Sequence, residues 1–170
     1  FDEVQTGFGL GGPFDWSSTF NLVDAEGHPD SPDAITYAKR AQVGVCISRF
    51  EDPEPSSAHI ASMTRAHLTT NTMDFGATAE RMAHRVEPRL KALAERFPQL
   101  VSAPRNTGFA FAFDLPTPAH LMAYLGQRFW RGAVVFGAGT KTVRYRLSNA
   151  FEPSHLNILF ETIEQSLQHV

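Results

Sequence analysis

The sequence opens with Phe1-Asp2-Glu3-Val4-Gln5-Thr6-Gly7, an acidic pair that runs into a glycine-rich loop. Lys39 follows within a short extended segment, residues 34–40. We predict buried strands at residues 34–38 and 43–47, one on each side of this lysine. An acid at one strand end and a lysine at the next suit a pyridine-based cofactor, because the acid keeps the ring nitrogen protonated and the lysine amine binds the aldehyde.

The composition predicts a globular protein with a core of its own. The 170 residues are 42% hydrophobic and 19% charged, with a formal net charge of −3, which is ordinary for a folded domain. The charges form no basic stripe and no run approaches the roughly 20 apolar residues of a membrane span, so we expect neither nucleic acid nor membrane as a partner. The single cysteine, Cys46, excludes an internal disulfide and favours a reducing, cytoplasmic compartment, and we expect a buried, inert thiol.

Strand and helix patterns alternate along the chain, which is typical of an α/β fold. Residues 51–57 have the composition of a linker, and Ser56 or Ser57 is the predicted cap of a helix over residues 58–68. Apolar residues at helical spacing predict a helix over residues 77–97, with a kink or a break at Pro88. Further elements are predicted as a strand at 109–113, a helix from Thr117 to about Trp130, strands at 133–136 and 142–147, and a helix from Pro153.

Several motifs carry a resemblance to a known family. Asp-Glu-Val-Gln-Thr-Gly-Phe-Gly at residues 2–9 and Pro-Asp-x-x-x-x-x-Lys at residues 32–39 are similar to motifs of the class III pyridoxal-phosphate (PLP) aminotransferases. Within that family the chain most resembles the lysine 6-aminotransferases (lysine epsilon-aminotransferases). That likeness rests on Gln42-Val43, Pro-Arg-Asn-Thr-Gly at residues 104–108 and Val-Arg-Tyr-Arg at residues 143–146.

The resemblance implies a fold-type I PLP-dependent transferase. Residues 1–75 would form the end of the large cofactor-binding domain, and residues 76–170 would form the C-terminal small α/β domain. The family also has an upstream half with a glycine-rich phosphate loop, which nothing in this sequence resembles. We therefore expect a C-terminal half, and three origins stay open: a fragment, a proteolysed chain, or one polypeptide of a split enzyme.

The resemblance assigns cofactor contacts to Asp2, Val4 and Gln5. Asp2 pairs with the pyridinium nitrogen, Val4 packs on the ring face, and Gln5 bonds the ring hydroxyl oxygen. A carboxylate beside that nitrogen favours its protonated form. Without the motif, Asp2 would be interpreted as a strand-end acid that caps a turn, and Val4 as ordinary core.

Lys39 is the predicted catalytic residue and also a cofactor-binding residue. By resemblance it forms the Schiff base with PLP and then carries a proton between substrate and cofactor. An apolar neighbourhood would remove solvation from its amine and favour the neutral, nucleophilic form. The alternatives are an ordinary surface lysine and the neighbouring Arg40, and the small residue Ala38 before Lys39 matches the family pattern.

Three more contacts are predicted from the same resemblance. Thr69 and Thr70 would hydrogen-bond the cofactor phosphate of a neighbouring subunit, although the family's glycine pair is absent from residues 67–74. Arg144 would bind the substrate carboxylate with two hydrogen bonds, and Arg146 is the alternate.

The seven histidines lack the spacing of metal ligands, so we expect no metal site.

The predicted function is PLP-dependent transamination. The amino donor would be the terminal amine of lysine or a similar ω-amino acid, and 2-oxoglutarate would accept the amino group. The partner would be the N-terminal half of the enzyme, on the same or a separate chain, within a homodimer or a heteromer. Two alternatives remain open: a non-catalytic aminotransferase-like subunit that stabilises or regulates a partner, and a PLP enzyme of another reaction type.

Overall fold

The computed structural model of the chain describes residues 1–51 and 60–170. They form two compact units, Phe1–Ala79 and Glu80–Val170. The domain boundary predicted after residue 75 falls one helical turn before this division, and the identification of the units with a cofactor domain and a small domain stays a prediction. The helix cap predicted at Ser56 or Ser57 lies outside the described residues.

The first unit contains a two-stranded antiparallel sheet, β1 (Ala34–Tyr37) and β2 (Val45–Ser48), and the helix α1 (Ile60–Thr72). All four residues of β2, including Cys46, are exposed. The prediction of a buried strand and a buried thiol at this place was therefore wrong. A two-stranded ribbon leaves both faces of its outer strand to solvent unless another element covers them.

An aromatic cluster forms the core of the first unit. The ring of Phe8 lies 4.6 Å from that of Phe14, 5.9 Å from Tyr37 and 6.4 Å from Phe75, measured between centroids. The Tyr37 hydroxyl donates a hydrogen bond to the Asp15 carboxylate. Burial, the hydrogen bond and the negative charge raise the pKa of Tyr37 well above its ordinary value. These contacts hold the glycine-rich loop against β1.

The second unit is a four-stranded antiparallel sheet with helices. The strands are β3 (Ser102–Thr107), β4 (Ala110–Asp114), β5 (Phe136–Ala138) and β6 (Thr142–Arg146), and their order across the sheet is β3-β4-β6-β5. The helices are α2 (Phe75–Arg96), whose first turn belongs to the first unit, α3 (Pro118–Gly126), α4 (Arg128–Arg131) and α5 (Pro153–Leu167). Pro88 lies inside α2, which continues through it as one helix.

Alternation along β4 and β6 builds the core of the second unit. Phe111 and Phe113 of β4 point inward together with Val143 and Tyr145 of β6. The ring of Phe111 stacks on Tyr145 at 4.7 Å and on Phe160 of α5 at 5.4 Å. Because successive side chains of a strand point to opposite faces, the residues between them face outward, and this places Arg144 on the exposed face.

A buried tyrosine pair gives a test of this core. The hydroxyls of Tyr124 and Tyr145 lie 2.7 Å apart, and burial raises the pKa of both groups. We expect Tyr124→Phe to lower the free energy of unfolding by about 1–3 kcal/mol, because the Tyr145 hydroxyl loses its partner in a dry site. The double variant Tyr124→Phe/Tyr145→Phe should cost less than the two single changes added together, as measured by urea unfolding. Additive losses would contradict this coupling.

Candidate functional site

The backbone places Asp2 directly beside β1. Asp2 forms a parallel bridge with Thr36, in which the N–H of Glu3 donates to the Thr36 carbonyl at 2.9 Å and the N–H of Thr36 donates to the Phe1 carbonyl at 3.0 Å. Lys39 follows Thr36 by three residues, so their Cα atoms are at most about 11 Å apart. The fold therefore brings together the predicted cofactor acid and the predicted catalytic lysine.

The Asp2 carboxylate also closes a local turn. Its Oδ1 accepts the N–H of Val4 at 2.9 Å, which is the turn-capping role considered above. Among residues 1–51 and 60–170 no group donates a hydrogen bond to Oδ2, and the side chain is exposed. Val4 and Gln5 are half-buried in the turn that follows. The roles of Asp2, Val4 and Gln5 in holding a cofactor stay predictions, with one carboxylate oxygen available for such a contact.

Lys39 has an unusual backbone conformation. It begins a 3-10 turn, Lys39–Ala41, with φ of 50°, in the left-handed region that a residue with a Cβ rarely occupies. The turn is held by the buried Ala41 and by the N–H of Gln42, which donates to the Lys39 carbonyl at 2.9 Å. Such strain costs about 1 kcal/mol or more and is found most often at functional sites.

The Lys39 side chain is exposed. The apolar neighbours of Lys39 in the sequence therefore do not shield its amine from solvent in this chain, contrary to our expectation. The physical reason is that Lys39 follows β1 on a turn and does not lie within the strand. Its assignment as the catalytic residue stays a prediction, which the position and the backbone strain support.

Thr69 and Thr70 lie within helix α1. Their hydroxyls donate to the carbonyls of Arg65 at 2.9 Å and of Ala66 at 2.8 Å, four residues earlier in each case. A hydroxyl carries one proton, so neither group can donate to a phosphate while it keeps this bond. The phosphate contact stays a prediction, and it would require whichever hydroxyl donates to the phosphate to rotate away from its helical carbonyl.

Arg144 and Arg146 share the exposed face of the second unit's sheet. Arg144 lies opposite Ala112 and Arg146 lies opposite Ala110, and both arginines are exposed. On its other side Arg144 lies opposite Phe136 of β5, so small residues flank the two arginines on the β4 side only. Arg105 of β3 also lies opposite Ala112, but its guanidinium is paired with the Asp114 carboxylate at 2.9 Å. Arg144 and its alternate Arg146 are therefore the cations of this sheet face that lack an ion pair among the described residues.

Glu3 is a residue of the site that our sequence analysis did not single out. Only 3% of its surface is exposed, its Oε1 accepts the N–H of Ser17 at 2.6 Å, and its Oε2 accepts the Thr6 hydroxyl. Burial alone would raise the pKa of this carboxyl, but the hydrogen bonds outweigh burial and hold it below its ordinary value. Strand alternation was the available signal, since it puts Glu3 on the opposite side from Asp2 and Val4.

Residues 1–51 and 60–170 contain neither a cluster of metal ligands nor a membrane-spanning helix. No group of three or more His, Cys, Asp or Glu side chains in this range could hold a metal ion. Within the same range, none of the helices combines the length and apolar character needed to cross a membrane.

No family model matches the chain, but individual proteins do. It is 31% identical to the L-lysine-epsilon aminotransferase of Mycobacterium tuberculosis over 163 residues, 86% of this chain and 34% of that protein. It is 25% identical to the 4-aminobutyrate aminotransferase of Dictyostelium discoideum over 188 residues, 99% of this chain and 35% of that protein. The chain thus spans about a third of the length of the curated relatives it matches.

The solved structures give the same result for the fold. The lysine aminotransferase of M. tuberculosis matches 99% of this chain and 41% of its own, with a TM-score of 0.79 and 25% identity. The ornithine delta-aminotransferase of Plasmodium falciparum has a TM-score of 0.71 at 17% identity, which supports the fold alone. Together with the motif order, these matches show that the chain belongs to the class III PLP-dependent aminotransferase family and has part of its fold-type I architecture.

Proposed function

We propose that this chain is the C-terminal part of an aminotransferase that moves an amino group from a terminal amine, such as that of lysine, to 2-oxoglutarate. The observation that carries the proposal is the bridge between Asp2 and Thr36 of β1, in a chain similar to lysine aminotransferases. Thr36 precedes the strained Lys39 by three residues. The N-terminal part of the enzyme, on the same or a separate chain, would complete the site within a dimer. A reducing, cytoplasmic compartment is part of this proposal, in keeping with the single cysteine.

The described residues fit PLP at two of its three anchoring points. When bound, PLP supplies an aldehyde that condenses with amines and a protonated ring that accepts electrons. Asp2 has a carboxylate oxygen available for the ring nitrogen, and Lys39 has an exposed amine. The phosphate anchor is less developed, because the hydroxyls of Thr69 and Thr70 are engaged within α1.

Each residue has a defined task in the proposed reaction. Asp2 holds a negative charge beside the ring nitrogen and so keeps that nitrogen protonated. The Lys39 amine, once free, accepts and returns a proton at the reacting carbon. Arg144 binds a substrate carboxylate with its planar guanidinium.

The Arg144 assignment predicts a substrate-binding defect. We expect Arg144→Gln to raise the KM for 2-oxoglutarate by about 10- to 100-fold, because charge-assisted hydrogen bonds to a carboxylate are lost. Steady-state kinetics of the complete enzyme measure this effect. Arg146→Gln is the matched control on the same strand face and should change KM less. The opposite ranking would assign the contact to Arg146.

Trapping the cofactor tests the proposed function directly. The complete protein is incubated with PLP, reduced with borohydride to convert a C=N bond into a stable amine, and mapped by mass spectrometry. We expect the label on Lys39, and glutamate formation from 2-oxoglutarate with lysine as donor. A label without transamination would indicate another PLP reaction, and glutamate formed only with 4-aminobutyrate or ornithine would correct the donor. No label on any lysine would favour the non-catalytic subunit.

A further inference from the structure

Glu3 is the one charged side chain that is buried among residues 1–51 and 60–170. Burying a carboxylate is costly unless several hydrogen bonds compensate. It is therefore informative that this buried charge lies between Asp2 and Val4, two residues predicted to contact the cofactor. We therefore asked whether the Glu3 carboxylate has a role in the cofactor site as well as in folding.

The contacts of Glu3 join three segments of the first unit. Its backbone N–H donates to Thr36 of β1 and its carbonyl accepts the N–H of Gly7, each at 2.9 Å. Its carboxylate accepts the Thr6 hydroxyl and, at 2.6 Å, the N–H of Ser17. Glu3 thus forms hydrogen bonds to β1, to the turn after Val4 and to the 3-10 turn at Trp16–Thr19. Together these hydrogen bonds restrain the segment that carries Asp2 and Gln5.

The charged form of Glu3 is the one that fits these contacts. A carboxylate accepts from both the Thr6 hydroxyl and the Ser17 N–H, whereas a protonated acid keeps both contacts only if the Thr6 hydroxyl turns from donor to acceptor. Two further titratable groups of the first unit, Asp15 and Tyr37, are hydrogen-bonded to each other, and Tyr37 interacts electrostatically with Glu3. The negative charge of Glu3 contributes to the raised pKa of Tyr37, so the phenol stays neutral beside it.

We propose that Glu3 is a positioning residue, whose buried carboxylate fixes residues 2–5 so that Asp2 reaches the cofactor's ring nitrogen and Gln5 its ring oxygen. The proposal rests on the proposed function. It adds a residue that touches neither cofactor nor substrate and acts through Asp2 and Gln5. The consequence is that the protonation of bound PLP depends on Glu3.

The first readout is the stability of the complete protein. The pKa of Glu3 lies below its ordinary value of 4.5 in the folded state. Its stabilising contribution is therefore complete above that value and is lost as the pH falls through the lowered pKa. We expect Glu3→Gln to be less stable than wild type at neutral pH and to show a weaker loss of stability on acidification, in thermal unfolding measured between pH 3 and pH 7. Glu26→Gln, an exposed change in the same unit, is the control and should leave both curves unchanged.

The second readout separates positioning from mere stability. The visible absorption of bound PLP in the complete enzyme is titrated with pH, well below the unfolding temperature, for wild type, Glu3→Gln and Thr6→Val. We expect the midpoint to shift by about one pH unit in Glu3→Gln, as for a displaced charge near a titrating group. Thr6→Val removes one hydrogen bond only, so it should fold and shift the midpoint less, in the same direction.

The possible results are distinct. Unchanged midpoints in both variants, with a loss of stability alone, would overturn the Glu3 proposal and leave the proposed function standing. A wild-type protein that acquires no PLP on Lys39 would overturn both. A shift in Glu3→Gln that Glu3→Asp partly reverses would support a role for the charge itself.

Discussion

Replacement of Lys39 by alanine is expected to lower transamination by the complete enzyme by about 10³-fold or more, because one residue supplies both the covalent anchor and the proton carrier. Labelling of the protein by PLP and borohydride should disappear in the same variant. Arg40→Ala is the matched control, since it changes the neighbouring cation and leaves Lys39 in place. Loss of labelling in Arg40→Ala with retention in Lys39→Ala would move the catalytic role to another group.

The backbone at Lys39 adds a second expectation for the same position. Lys39 has φ of 50°, which glycine adopts without a steric penalty. Lys39→Gly should therefore be as inactive as Lys39→Ala. It should be more stable than Lys39→Ala, because alanine keeps the Cβ that strains this backbone conformation. The comparison of the two inactive variants by urea unfolding isolates the strain, which we expect to be about 1 kcal/mol. Equal stability of the two would argue that this turn is not strained in the folded protein.

Gly9→Ala is expected to be among the most destabilising single changes in the first unit. Gly9 has φ of 75°, and a Cβ built there would lie 2.5 Å from Cγ and 2.6 Å from Cβ of Phe75. The Cβ of Phe75 belongs to helix α2 and cannot move away as a flexible side-chain end could. We expect a loss of about 2–4 kcal/mol, as the sum of a left-handed alanine and an overpacked contact. Urea unfolding monitored by circular dichroism measures the loss.

Gly27→Ala separates the two parts of that loss. Gly27 also has positive φ, 85°, but a Cβ there would meet no atom within 4 Å. It should therefore show the conformational cost alone, about 1 kcal/mol. If Gly9→Ala costs no more than Gly27→Ala, the close approach of Phe75 to the glycine-rich loop is not maintained in solution.

Local sequence signals were sufficient where the structure depends on neighbours in the chain. Pro118 and Pro153 begin helices α3 and α5 as predicted, and Thr117 caps α3 through the N–H of His120. The large-small alternation of residues 109–113 correctly indicated an aromatic inner face on β4. The motif at residues 2–9 was enough to identify the family, which the similarity to lysine aminotransferases supports.

Other features depend on partners that are distant in sequence. β3 has no apolar alternation and five of its six residues are exposed, so only its ladder with β4 makes it a strand. β2 and Cys46 are apolar in sequence but exposed, because burial depends on what covers a strand. The hydroxyls of Thr69 and Thr70 donate hydrogen bonds to carbonyls within α1. The residue type alone does not indicate which acceptor a threonine hydroxyl will use.

Motifs and periodicity were enough to indicate the family, the order of most elements and the site candidates Asp2, Lys39 and Arg144, because both are properties of residues close together in the chain. Only the folded chain shows that Asp2 lies against β1, that Lys39 is exposed on a left-handed turn, and that Glu3 is a buried, ionised carboxylate. The first and the third of these facts depend on hydrogen bonds between distant segments, Glu3 to Thr36 and Ser17 to Glu3, whereas the exposure of Lys39 depends on what covers its turn. Burial, strain and charge state follow from such contacts and not from residue type.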